Sequence, residues 1–114
     1  MPLSFFNCHE SKLLEGIKTE THRQWKNHGV ITSHHRTLKT NCFARVWSGG
    51  KGKLIGYALY HEITQQRMGD LTLADVKAEG WEGMSLVEFK NTHFEGVKQN
   101  AILWVVRFTF LPLC

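Results

Sequence analysis

Apolar residues fall in short blocks along this chain, and the spacing inside each block predicts its conformation. Leu3, Phe5 and Phe6 make an apolar, β-favouring opening that predicts a short strand over 3–6. Leu13, Leu14 and Ile17 follow at i, i+1 and i+4. They lie behind Ser11, which fits an N-cap, with Gly16 as a stop, so a helix of one or two turns is expected. Such a helix is unstable alone and must lean on a core. From Thr19 to Asn41 the apolar residues thin to Trp25, Val30, Ile31 and Leu38, which predicts an extended segment followed by a long loop. A loop of that length inside a compact domain is more often functional than incidental.

Denser apolar blocks fill the second half. Cys42–Trp47 and Lys53–Ile63 read as two strands around the turn Ser48-Gly49-Gly50-Lys51-Gly52, an expected hairpin whose glycines lack the spacing of a phosphate loop. Thr72 with Asp75 three residues on starts a helix that Gly80 ends, and Ser85 with Glu88 starts another running to about Thr92. Ala101–Phe110 is β-branched and aromatic throughout, a strand expected to be buried on much of both faces. The order is strand, short helix, loop, hairpin, two helices, strand. That predicts an α+β fold of mostly antiparallel strands with helices at one side.

Composition narrows the classes. At 114 residues, 42% hydrophobic and 21% charged, the chain is expected to be one soluble domain over residues 1–114. No apolar run approaches the ~20 residues of a membrane span. The first residues lack a basic region followed by an apolar core, so a cytoplasmic location without a membrane partner is expected. Cys8, Cys42 and Cys114 are odd in number and far apart, which argues for reduced thiols. Cys8-His9 and His34-His35 lack structural-zinc spacing, so neither a metal nor a cofactor is expected. The net charge is +4 and is concentrated in Lys18, Arg23, Lys26, Arg36 and Lys39, with Glu20 the one acidic residue among them. That stretch is the candidate surface for a phosphate-bearing partner.

Two places depart from local rules. Glu79 lies in the last turn before Gly80, facing the negative end of a helix dipole that favours cations by ~0.3–1 kcal/mol. If it were buried there, its pKa should rise. Lys18, Thr19, Thr21 and Arg23 gather donors and a hydroxyl just after a helix stop. In a strict strand Lys18 and Thr21 would point to opposite faces, so they share a site only if the chain kinks between them.

Taken together, Leu14-Glu15-Gly16-Ile17-Lys18-Thr19-Glu20-Thr21-His22-Arg23 resembles the L-x-G-x-K-T-x-T-x-R segment of ASCH domains, small relatives of the PUA fold. Gly69-Asp70-Leu71-Thr72, Ala78-Glu79-Gly80-Trp81 and Ser85-Leu86-Val87-Glu88-Phe89 resemble that family's helix, acidic-glycine turn and second helix, and Trp104-Val105-Val106-Arg107-Phe108 resembles its last strand. The resemblance implies a PUA-like β-barrel with short helices lining one cleft. It is similar in particular to the family's bacterial amidohydrolases acting on N4-acetylcytidine, which use a lysine, a threonine and a glutamate. Those roles would fall on Lys18, Thr21 and Glu79, with a small nucleoside or nucleotide as substrate and no cofactor.

In that chemistry Lys18 would take the Thr21 proton, the threonine would attack the amide carbonyl, and Glu79 would protonate the departing amine. Thr19, Arg23, Trp25 and Trp81 would bind substrate, Arg23 by charge and the tryptophans by stacking on a pyrimidine. Two departures bear on the substrate. The histidine-containing Gly29–Thr40 loop replaces a Gly-Asp step, and the T-x-R-x-W-K continuation over Thr21–Lys26 is closer to other ASCH members. The alternative expectation is therefore an RNA- or single-stranded-DNA-binding module, with or without ribonuclease activity, working through Lys18, Arg23, Lys26, Arg36 and Lys39.

Overall fold

The two longest strands carry the sheet, and the later one buries residues on both of its faces. The structure, a computed structural model, describes residues 3–5, 10–40, 43–49 and 53–113. Its elements are β1 (Leu3–Phe5), α1 (Glu10–Leu14), β2 (Glu20–Arg23), α2 (His28–Thr40), β3 (Phe43–Ser48), β4 (Lys53–Arg67), a 3-10 turn (Met68–Asp70), α3 (Leu73–Ala78), α4 (Leu86–His93) and β5 (Ile102–Pro112). They form an α+β fold around one five-stranded sheet of order β1-β3-β4-β5-β2. All pairings are antiparallel except β1 with β3. No described ladder joins β1 to β2, so a barrel is not shown.

The expected hairpin is present as β3 and β4, paired from Phe43↔Leu59 to Ser48↔Lys53. Residues 50–52 of its turn, Phe6, and Cys8, His9, Cys42 and Cys114 lie outside the described residues. β4 and β5 slip register between Tyr60 and Glu62, leaving His61 as an extra residue. A bulge of this kind shifts the alternation by one, so Tyr60 and Ile63 share a face instead of opposing each other.

Strand alternation divides the core in two. One cluster gathers Leu13, Ala44, Val46, Ala58, Tyr60, Val106, Phe108 and Phe110, with Trp25 and Leu38 packed against it. The other gathers Met68, Leu71, Val76, Phe89, Phe94 and Leu103. Helices α1 and α2 serve the first cluster, α3 and α4 the second, so helices cover both faces of the sheet rather than one side. The reason lies in β5, whose Leu103 and Val106 belong to opposite clusters. α1 has five residues and begins before Ser11, which is therefore inside the helix and not its cap. It is held by Leu13, whose burial contributes ~1.5–3 kcal/mol. Both later capping boxes form as the sequence predicts, Thr72 with Asp75 and Ser85 with Glu88.

The expected long loop is instead the longest helix. Asn27 Oδ1 accepts from the main-chain N–H groups of Gly29 (2.8 Å) and Val30 (3.3 Å), an N-cap worth ~1 kcal/mol. The buried face of α2 consists of His34 and Thr37, residues that do not register as apolar in a hydrophobic pattern. His34 is satisfied inside the core: its Nδ1 lies 2.7 Å from the Tyr60 hydroxyl and its ring stacks on Trp25 at 4.1 Å.

Burial, reinforced by the nearby charges of Arg23 and His35, holds the His34 imidazole down at about 4. The unfolded chain therefore binds the extra proton first, and stability present above the ordinary histidine value of 6.5 is lost as pH falls toward 4. From pH 7 to pH 4 the wild type should lose up to about 3 kcal/mol more than His34→Gln, measured by urea unfolding. Parallel pH profiles for the two proteins would contradict this.

Candidate active site

The Lys18 segment and the Glu79 turn meet because the chain leaves α1 tightly. Gly16 adopts φ 72°, and the main-chain N–H groups of Ile17 and Lys18 both donate to Lys12 O, at 2.9 and 3.1 Å. β2 starts only at Glu20, so Lys18 lies outside it and strand alternation does not govern it. The chain therefore turns between Lys18 and β2, which brings the lysine onto the Glu79 turn. Thr19 then ties to the α3 turn, its N–H donating to Ala78 O at 2.8 Å, while its side chain is exposed. Gly80 completes the approach. Its φ is 98°, and a Cβ there would stand 3.1 Å from Lys12 Cβ and 3.3 Å from Lys18 Cβ. A side chain at that position would push the acidic turn away from the lysine.

Lys18 and Glu79 are buried, 1% and 5% exposed. The Lys18 ammonium donates to Glu79 Oε1 and to the Glu79 main-chain oxygen, the latter at 3.0 Å. The other carboxylate oxygen, Oε2, accepts from the His22 main-chain N–H at 2.8 Å and faces His22 Nδ1 at 2.9 Å. The expected upward pKa shift is therefore reversed. Burial pushes Glu79 up, but the Lys18 charge and the His22 hydrogen bond and charge outweigh it and bring the group down to about 2. Glu79 is a carboxylate at neutral pH, and its neighbours make it a weaker base than an ordinary glutamate. It can donate a proton only after receiving one.

Thr21 and Arg23 project from β2 to the face opposite Glu20 and His22. Arg23 Nε donates to Thr21 Oγ1 at 3.1 Å. Burial lowers the Arg23 pKa, while the charges of Glu79 and Tyr60 oppose that shift. Trp25 and Trp81 are both half-buried. One face of Trp25 is already covered by His34, with Trp104 at 6.4 Å. Trp81 packs on the second cluster and stands 5.4 Å from His93. Neither presents two open faces to a base. The basic stretch is not uniformly exposed: Lys18 is buried against Glu79, whereas Lys26, Arg36 and Lys39 are exposed and Arg23 is half-buried.

Sequence reasoning passed over the residues beneath the site. Glu20 and His22 lie two apart in an extended segment and so share a face, the signal that could have found them. Their face also carries Gln66 and meets Asp75: His22 Nε2 stands 3.0 Å from Gln66 Oε1, 3.3 Å from Glu20 Oε1 and 4.0 Å from Asp75 Oδ1. Glu20 Oε2 accepts from Arg107 Nε at 3.2 Å. Burial and the neighbouring Asp75 push Glu20 up to about 6. Burial draws His22 down, but its hydrogen bond to Glu79 and the Glu79 and Glu20 charges prevail and raise it. Glu20, His22 and Asp75 are the described residues with the chemistry and spacing to hold a metal ion.

No family model matches the chain, and no curated protein matches it. Among solved structures it is similar to the crystal structure of protein EF3133 from Enterococcus faecalis V583, of family DUF984. The two share 14% identity and a TM-score of 0.64, over 99% of this chain and 78% of that one. At that identity the likeness concerns the fold alone. No helix among the described residues is long and apolar enough to cross a membrane.

Proposed function

We propose that this protein is an ASCH-type hydrolase that removes an acyl group from an N4-acylated cytidine-type nucleoside or a related small amide. The reading rests on one observation, the buried Lys18–Glu79 ion pair held against the edge of β2 within a residue of Thr21. A buried ion pair contributes little net stability compared with apolar residues of the same volume, so stability alone gives little reason to keep one. The wider ASCH assignment, with its closed barrel and cleft, and a cytoplasmic nucleoside substrate belong to the same reading.

The chemistry follows from the protonation states. Thr21 Oγ1 attacks the acetyl carbonyl and its proton passes through Lys18 to the Glu79 carboxylate, since an ammonium can accept a proton only by handing one on. Arg23 faces the developing oxyanion. The C–N bond breaks as the proton returns to the leaving amine, releasing cytidine. Water, deprotonated by Glu79, then attacks the Thr21 ester, and the same proton passes to Thr21 Oγ1 as the C–O bond breaks and acetate leaves. Incubation with N4-acetylcytidine should release cytidine and acetate in equal amounts. No release at stoichiometric enzyme would exclude this substrate.

A second reading, binding of RNA or single-stranded DNA, is favoured by a groove of about 480 Å³ lined by Gln24, Trp25, Lys26, Lys98 and Asn100 among others. Affinity for an oligonucleotide that falls steeply with salt and is weakened by Lys26→Ala would support it.

A further inference from the structure

We propose that Glu20, His22, Asp75 and Gln66 form a binding site for a divalent first-row metal ion, Mn²⁺ matching the donors best. The strongest sign is the Glu20 carboxylate. The residue is 5% exposed, and its Oε1 is buried with no hydrogen-bond partner among the described residues. That oxygen lies 3.3 Å from His22 Nε2. Buried carboxylate oxygens are normally hydrogen-bonded, and each exception calls for an explanation. Here the orphan belongs to a group of donors in the arrangement a cation would fill.

The spacings fit. Ligand atoms on a metal with bonds of ~2.0–2.1 Å stand about 3.0 Å apart at right angles and about 3.3 Å apart in a tetrahedron. From His22 Nε2 the distances are 3.0 Å to Gln66 Oε1, 3.3 Å to Glu20 Oε1 and 4.0 Å to Asp75 Oδ1. The ligand atoms of Glu20, His22 and Asp75 all lie within 4.8 Å of one another, so a modest swing of Asp75 closes the set. The Gln66 oxygen is fixed toward the site because its Nε2 donates to Asp70 O at 3.0 Å and to Asp75 Oδ2 at 3.1 Å. Asp75 spends Oδ2 on the Thr72 main-chain N–H at 2.9 Å, which leaves Oδ1 for the ion.

The surrounding residues complete the arrangement. His22 Nδ1 faces Glu79 Oε2 at 2.9 Å, the carboxylate–histidine support that fixes a ligating imidazole. The ion takes the place of the Nε2 proton, which leaves to solvent. Arg107 binds the far oxygen of Glu20 and Glu62 Oε1 (2.7 Å) from the solvent side, its side chain 54% exposed. The Asp75 side chain is 13% exposed and forms the opening. One imidazole with three oxygens suits Mn²⁺ among first-row ions, and Mn²⁺ has little affinity for the three cysteine thiols.

This site does not rest on the hydrolase reading, and its test needs no substrate. The full chain, stripped of metal with a chelator, is titrated with Mn²⁺ while the free ion is followed by electron paramagnetic resonance. One equivalent should be taken up saturably and released by Zn²⁺, which binds such sites more tightly. Glu20→Gln, nearly isosteric, should weaken uptake at least about tenfold. Asp75→Asn decides the matter should Glu20→Gln fail to fold by circular dichroism. No saturable uptake at millimolar Mn²⁺, or a smaller loss in the deciding variant, overturns the proposal.

Discussion

Lys18→Met should lower the free energy of unfolding by about 3–5 kcal/mol, because it leaves the Glu79 carboxylate buried and short of its main counter-charge. For a domain of this size the melting temperature should fall by roughly 10–20 °C. The ion pair itself is a different quantity from the cost of breaking it. Lys18→Met combined with Glu79→Gln removes both charges and keeps an acceptor for the His22 main-chain N–H, so the double variant should recover more than half of the loss. Thermal unfolding of the two single variants, the double and the wild type closes the cycle. A double variant no more stable than Lys18→Met would show that the lysine acts through packing and not through its charge.

Thr21→Ala carries the largest expected effect on activity. If Thr21 Oγ1 forms the acyl intermediate, kcat/KM for N4-acetylcytidine should fall by at least ~10³-fold, as when other catalytic nucleophiles are removed. Stability should change by only ~1 kcal/mol, the net worth of the hydrogen bond from Arg23 Nε. Thr21→Ser keeps a hydroxyl and should keep measurable turnover, with an acetyl adduct on the residue visible by mass spectrometry after a rapid quench. Thr21→Ala with wild-type turnover would assign the attack to water, activated by the Lys18–Glu79 pair. The nucleophile would then be wrong while the hydrolase reading stood.

The sequence revealed most where a single local rule sufficed. Thr72 with Asp75 and Ser85 with Glu88 mark helix starts whatever surrounds them, and the β-favouring runs Cys42–Trp47 and Lys53–Ile63 around a glycine turn mark the hairpin, formed as Phe43–Ser48 with Lys53–Arg67. It misled where tertiary context decides. α2 buries a histidine and a threonine and packs Leu38 beside the core, so its packed face carries only a sparse apolar stripe. The Glu79 pKa was misjudged because the dipole of a six-residue helix is a small term beside an ammonium and two His22 donors. Lys18 and Glu79 were legible as partners through the resemblance. That His22 joins them depends on how β2 and α3 sit together, which no spacing within β2 encodes.

The Glu79 turn also covers an edge of the sheet. β2 ends the sheet, and an outermost strand offers unpaired main-chain groups that can template the addition of another chain. On β2 the His22 N–H is taken by the Glu79 carboxylate, and just before the strand the Thr19 N–H is taken by Ala78 O. The turn that carries Glu79 therefore also acts as a bumper against self-association. Substitutions that loosen it should be expected to generate soluble oligomers or fibrous precipitate, a loss of colloidal good behaviour that would look like poor expression rather than lost catalysis.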